Sequence, residues 1–234
     1  MLRRALVCCL VAVAALPAAA AGSAPPKVSQ LVVFRDGSFK EKSVRARRVA
    51  VRVSGRRCTV PAATPLAALA ASKVAKIGLK DFGSCSRRAR DAGGLFVKSL
   101  GSDVNSGGDG WVYKVGRKLG TAGAADPAGP FGSGLLKAGA EVLWFYCHFQ
   151  NGSCQRTLSF DATAQPGSVV VRVRAYSDQG RGVAAAGAAV HVDSTTAVTA
   201  SDGSATITTP AGAHRVWVDQ SDRIRSFTRR VVVP

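Results

Sequence analysis

Four aromatic residues stand in two i, i+2 pairs, Trp111 with Tyr113 and Trp144 with Tyr146. In an extended strand, residues two apart point to one face, so each pair sets two rings side by side. Such a face can stack a sugar or another flat ligand, or it can form the inside of a core. The glycine-rich 120–134 segment borders it, and together they make a candidate small-molecule site. A second group is basic. Residues 35–57 carry nine Lys and Arg against two acids. Six of the nine are Arg45, Arg47, Arg48, Arg52, Arg56 and Arg57, and Arg87 and Arg88 belong to a second cluster with Arg90. Guanidinium groups at this density attract polyanions through their summed field and present forks that fit phosphate and carboxylate. These eight arginines are the candidate polyanion contacts, although a solvated strand face reads the same way.

Other residue types argue against catalysis. The chain has three histidines, His148, His191 and His214. None stands in a G-x-S-x-G or Cys/His nucleophile context. Glu41 and Glu141 are the only glutamates, so a glutamate acid/base pair is not expected. Asp103, Asn105 and Asp109 imitate part of a calcium loop. Gly107 and Lys114 occupy later ligand positions, which breaks the pattern. Gly107-Gly108 and the glycines of 132–134 lack the Lys-Ser/Thr of a phosphate-binding loop. The expectation is a protein that is not an enzyme and has no metal and no cofactor.

The N-terminus names a compartment. Arg3 and Arg4 precede an eleven-residue apolar run over 6–16, Pro17 breaks it, and small residues follow to Ala21. That is the layout of a secretory signal cleaved after Ala21, and the run is too short to span a bilayer. No second apolar run is long enough to cross as a helix. Loss of 1–21 removes Cys8 and Cys9 and leaves Cys58, Cys85, Cys147 and Cys154. Four cysteines in an exported chain allow three disulfide pairings. Cys147 and Cys154 flank Asn151-Gly152, a strong hairpin turn, so a bridge between them is expected, leaving Cys58 with Cys85. A zinc site is the alternative, but no C-x₂-C or His pair accompanies it.

The elements that must position these residues follow from periodicity. Alternation marks strands at 28–34 and around Val49, Val51 and Val53, with a turn at Asp36-Gly37. Thr64-Pro65 opens one amphipathic helix that ends before Gly78. Strands follow at 95–100, 111–115, 142–148 and 155–160. Residues 161–167 look like a linker. Beyond it, period-2 segments recur about every ten residues to the end of the chain, the pattern of a small antiparallel β-sandwich. The fold class is therefore α+β, then all-β. The organisation is 1–21 signal, 22–161 first domain, 162–167 linker and 168–234 second domain.

Composition agrees with two small folded domains. The 234 residues are 47% hydrophobic and 20% charged, too apolar for a disordered basic tail. The formal charge is +18, from 32 Lys and Arg against 14 Asp and Glu. It divides unevenly: 22–161 carries 22 basic and 9 acidic residues, 162–234 only 8 and 5.

The run Asp109-Gly-Trp-Val-Tyr-Lys-Val115, with Gly139-Ala-Glu-Val-Leu-Trp-Phe-Tyr146, resembles the transcobalamin C-terminal-like domain family. The Thr64-Pro65-Leu66-Ala67-Ala68-Leu69 helix start is similar to that family's helix opening. The resemblance covers roughly residues 47–160 and implies a β-grasp-like domain, one main helix cradled by a mixed sheet. The chain departs from it at Gly116-Arg117, where the family continues Asn-Gly. No helical barrel is present to complete a cobalamin site. Residues 168–234 resemble carboxypeptidase-regulatory-like or bacterial immunoglobulin-like modules, carried by Gly187-Ala-Ala-Val190, Val198-Thr-Ala-Ser-Asp-Gly203-Ser-Ala-Thr206 and Pro210-Ala-Gly212.

These readings converge on an exported, non-enzymatic binding or structural protein, secreted or associated with the cell surface. Its expected partner is an anionic envelope polymer or a surface protein. Dedicated nucleic-acid binding is not expected of an exported chain. The other expectation is a small-molecule-binding protein that uses the aromatic strands and the 120–134 loop.

Overall fold

A computed structural model describes residues 24–82 and 94–234. The expected signal segment, Cys85, Arg87 and Arg88 lie outside the described residues. Strands dominate, with one helix among the described residues.

The N-terminal half is built on a five-stranded sheet. Its strands are β1 (Lys27–Val33), β2 (Phe39–Arg45), β8 (Gly110–Val115), β9 (Lys118–Leu119) and β10 (Glu141–Cys147), in the order β2-β1-β10-β8-β9. β1 runs parallel to β10, with Leu31 opposite Leu143 and Val33 opposite Phe145. The turn between β1 and β2 falls at Asp36-Gly37, where Asp36 Oδ1 accepts the Ser38 N–H at 2.9 Å and Gly37 takes a φ of 81°.

Helix α1 (Pro65–Ser72) packs on one face of this sheet. Thr64 caps it, its Oγ1 accepting the Ala67 N–H at 3.3 Å, and Pro65 supplies the first helical residue. The helix stops at Lys73, which turns left-handed with φ 50°. It is not amphipathic as expected. Pro65, Leu66, Ala67, Ala68, Leu69 and Ser72 are all buried, because an alanine-rich helix is thin enough to be covered on several sides. The Lys40 and Lys42 ammonium groups of β2 donate to the Val74 and Ser72 carbonyls at 3.0 and 3.1 Å, satisfying acceptors left open at the helix end. Two small antiparallel units complete this half, the hairpin β3 (Val49–Val53) with β4 (Arg56–Val60), and β5 (Ile77–Asp81), β6 (Leu95–Leu100) and β7 (Asp103–Val104).

The C-terminal half has two four-stranded antiparallel sheets around one core. The first holds β11 (Thr157–Gln165), β12 (Ser168–Tyr176), β13 (Gly182–Ala184) and β16 (Ser204–Thr208). The second holds β14 (Ala189–Val192), β15 (Thr195–Val198), β17 (Gly212–Asp219) and β18 (Arg229–Val233). The expected linker is overturned here. Residues 161–165 are the second half of β11, and Pro166-Gly167 turns it into β12 as a hairpin. The inward positions of that stretch are Ala162 and Ala164, too small to give a clear alternating signal.

Without a linker, the two halves pack directly. The sheet face opposite α1 presents Leu31, Val33, Leu143, Phe145 and Cys147, which form one cluster with Ile224 and Phe227. Lys114 projects from the same face and is fully buried. Its ammonium reaches Ser177 O at 3.1 Å, Tyr176 O at 3.3 Å, Thr157 Oγ1 at 3.4 Å and the Asp178 carboxylate at 3.3 Å. Burial pushes its pKa below the usual lysine range, and Asp178 opposes that shift. At the other edge, Glu41 accepts the Thr228 N–H, and Arg229 pairs with Glu141 at 3.3 Å.

Removing one member of a buried ion pair strands the other. Lys114→Ala should therefore lower unfolding stability by about 3–5 kcal/mol in urea titration, with Lys114→Met recovering part of the loss. A loss under about 1 kcal/mol would show that the ammonium does not hold the halves together.

Candidate functional site

The arginine-rich stretch becomes an exposed two-stranded hairpin. Ser54 and Gly55 both take positive φ, 48° and 80°, which gives the two-residue turn whose twist matches the strands. Val49, Val51 and Val53 alternate inward with Cys58 and Val60. Period 2 then forces Arg52 and Arg57 outward, and the register sets them directly opposite each other. Like charges so placed repel across a pair separated by about 5 Å at Cβ. Arg45, Arg47, Arg48, Arg52, Arg56 and Arg57 are all exposed. Among the described residues none of the six forms an ion pair with Asp or Glu. Arg45 only reaches the Pro25 carbonyl at 3.3 Å.

The aromatic residues do not form an open face. Trp111, Tyr113, Trp144 and Tyr146 are 4%, 7%, 1% and 2% exposed, and all four belong to the core shared with α1. Trp111 meets Tyr146 edge-on at 5.9 Å between centroids, and Tyr113 meets Trp144 at 5.3 Å. Their polar atoms bind the surrounding loops: Trp111 Nε1 donates to Asp103 O, Tyr113 Oη to Ala122 O and Tyr146 Oη to Val104 O. The stacking platform is thus corrected to a core whose polar edges hold the 102–104 and 120–130 segments. One side of it lines an apolar pocket of about 310 Å³, with Leu95, Val97, Leu119, Ala122 and Ala124.

Cys147 and Cys154 form a disulfide with Cα atoms 5.2 Å apart, across a hairpin tipped by Asn151-Gly152. Cys58 is disulfide-bonded, and its expected partner, Cys85, lies outside the described residues.

Each histidine sits against an aspartate: His148 on Asp109 at 3.1 Å, His191 on Asp219 at 3.0 Å and His214 on Asp193 at 2.8 Å. His214 also reaches the Pro210 carbonyl at 2.9 Å through Nε2. Two acceptors require both ring nitrogens to carry protons, and the Asp193 bond is the main cause raising its pKa above the ordinary value. The Asp109 carboxylate is held low, first by the Phe149 N–H and then by His148. Asp103 and Asn105, the other calcium-like residues, accept the Arg35 and Trp111 backbone N–H groups. These side chains cross-link strands. Among the described residues no cluster of three or more His, Cys, Asp or Glu could hold a metal.

A larger cavity has no local signature in the sequence. It is a cleft of about 880 Å³ between the halves, walled by Arg35, Phe39, His148, Gln155, Arg223 and Arg225 among others. Its walls come from segments about 190 residues apart, so no local motif announces it.

No family model, curated protein or solved structure matches the chain.

Because Arg52 faces Arg57, Arg57→Thr should stabilise the free protein by about 0.2–1 kcal/mol at low salt, and the gain should shrink in high salt. Thermal melts at two ionic strengths measure this. A destabilisation at low salt would mean that the pair is not in repulsion.

Proposed function

We propose that this is an exported, non-enzymatic cell-surface or extracellular protein whose arginine hairpin binds an anionic envelope polymer. The carrying observation is the exposed Arg52–Arg57 register with no acidic partner among the described residues. A fold that tolerates facing like charges on a surface hairpin gains when a polyanion neutralises them. Arg45, Arg47 and Arg48 flank the hairpin base and Arg56 its tip, so the charges extend along one segment. Such a surface matches a repeating anion, a teichoic-type polymer or an acidic polysaccharide.

The fold reading that goes with this function is a β-grasp-like, transcobalamin C-terminal-like domain followed by an immunoglobulin-like sandwich. It is supported by the parallel β1–β10 pair with α1 on one face, and by the two antiparallel sheets around a common core.

A second reading, a small-molecule site at the aromatic strands and the 120–134 loop, is favoured by one observation. Trp144 lines the 310 Å³ apolar pocket, and its Nε1 is buried with no hydrogen-bond partner among the described residues. Buried donors are ordinarily satisfied.

The test of the first reading is retention on immobilised polyphosphate with a salt gradient. The wild-type protein should be retained and elute earlier as salt rises, and the charge reversal of Arg45, Arg47 and Arg48 to Glu should weaken binding at least about tenfold. Retention unchanged by that reversal overturns it.

A further inference from the structure

Arg225 sets the cleft between the halves apart from an ordinary surface groove. Its side chain is only 8% exposed. Its guanidinium lies over the Phe39 ring at 3.4 Å, which fixes its plane. Its Nε donates to Ser226 O at 3.2 Å, and among the described residues neither Nη atom has a hydrogen-bond partner. The Glu41 and Asp219 carboxylates act on Arg225 through their charge, and both Glu41 oxygens also accept the Thr228 N–H, at 3.2 and 3.1 Å. Arg223 differs, because among the described residues its Nη1 is itself buried and without a hydrogen-bond partner. A buried guanidinium nitrogen left unpaired is costly, so Arg223 Nη1 favours an acceptor, while the Arg225 Nη groups are not sealed from the cleft.

The cleft's volume of about 880 Å³ falls within the ligand-sized range of roughly 300–1,000 Å³. A planar guanidinium with two unpartnered Nη groups matches a carboxylate or phosphate. The rest of the lining narrows the choice. Gln150 and Asn151 bring amides, which both donate and accept and so suit hydroxyl groups, while the Gln155 amide is held by the His148 N–H and the Tyr146 carbonyl. Two carboxylates also line the cleft. Asp219 is paired with His191 at 3.0 Å, and Asp222 is exposed at the rim. Three arginines, Arg35, Arg223 and Arg225, outnumber them.

We infer that this cleft binds an acidic saccharide, with the sugar carboxylate on Arg225 and Arg223 and the hydroxyls on the amide side chains. The site is separate from the arginine hairpin, so either surface can function without the other. Inorganic phosphate meets the guanidinium requirement alone and leaves the amides idle.

The test is calorimetry of the purified protein with trigalacturonate, a neutral galactose trimer and inorganic phosphate. Trigalacturonate should bind at least tenfold more tightly than either of the others. Arg223→Ala and Phe39→Ala should each weaken it about tenfold, both alone and in a protein that already carries Arg52→Ala/Arg57→Ala, where the hairpin no longer contributes. Arg225→Lys should also weaken it, because lysine keeps the charge but loses the fork. If that buried variant fails to fold, the first two carry the test. Absent binding of trigalacturonate overturns the inference, as does equal binding of the neutral trimer or phosphate. So does a loss confined to the hairpin variant. Loss of polyphosphate retention in the hairpin variant bears only on the polymer-binding reading.

Discussion

Leu31, Val33, Leu143 and Phe145 alternate along β1 and β10 with Val32, Val142 and Trp144, and both sets are buried. A parallel strand pair at the middle of a sheet must cover both faces. Helix α1 covers one, and the C-terminal half, through Ile224 and Phe227, covers the other. Everything else follows from this double burial. The C-terminal half is held against the sheet rather than tethered behind it. Lys114, projecting toward the same interface, needs four oxygen acceptors around it to remain charged there.

The same packing decides which surfaces remain for a partner. The aromatic strands lie under α1 and cannot act as a face. β2 is one of the two edge strands, and its two ends lead to the two basic features. Phe39 at one end carries Arg225 and the cleft. Arg45 at the other end leads into the arginine hairpin. Seven strand residues span about 20 Å, so the two sites are distinct places on the protein. Lys40 and Lys42 between them guard the edge against pairing with another strand while closing the helix end.

Much of the first half was legible in the sequence because its signals are local. Thr64-Pro65 marks the helix start, Asp36-Gly37 and Asn151-Gly152 mark turns, and the Cys147–Cys154 bridge follows from the second of these turns. The hairpin arginines were identifiable from composition, although their register was not. What stayed hidden depends on distant partners. Lys114 alternates with Trp111 and Tyr113 in a way that reads as a solvent-facing position, and only the docking of Thr157, Tyr176 and Ser177 turns it inward. Ala162 and Ala164 are too small to announce a strand. Arg225 reads as one more basic residue near the C-terminus until Phe39, 186 positions earlier, is seen beneath it. Burial of the aromatic rings likewise required knowing that loops 102–104 and 120–130 close over their edges.

In the proposed function an anionic polymer is recognised by guanidinium groups on the β3–β4 hairpin and not by rings. Arginine Nε–Hε and tryptophan indole NMR signals followed during titration with short-chain polyphosphate test it most directly. The Arg52 and Arg57 signals should move first and together, with the Trp111 and Trp144 indoles unmoved. Indole shifts at concentrations that leave the hairpin arginines unchanged would contradict it.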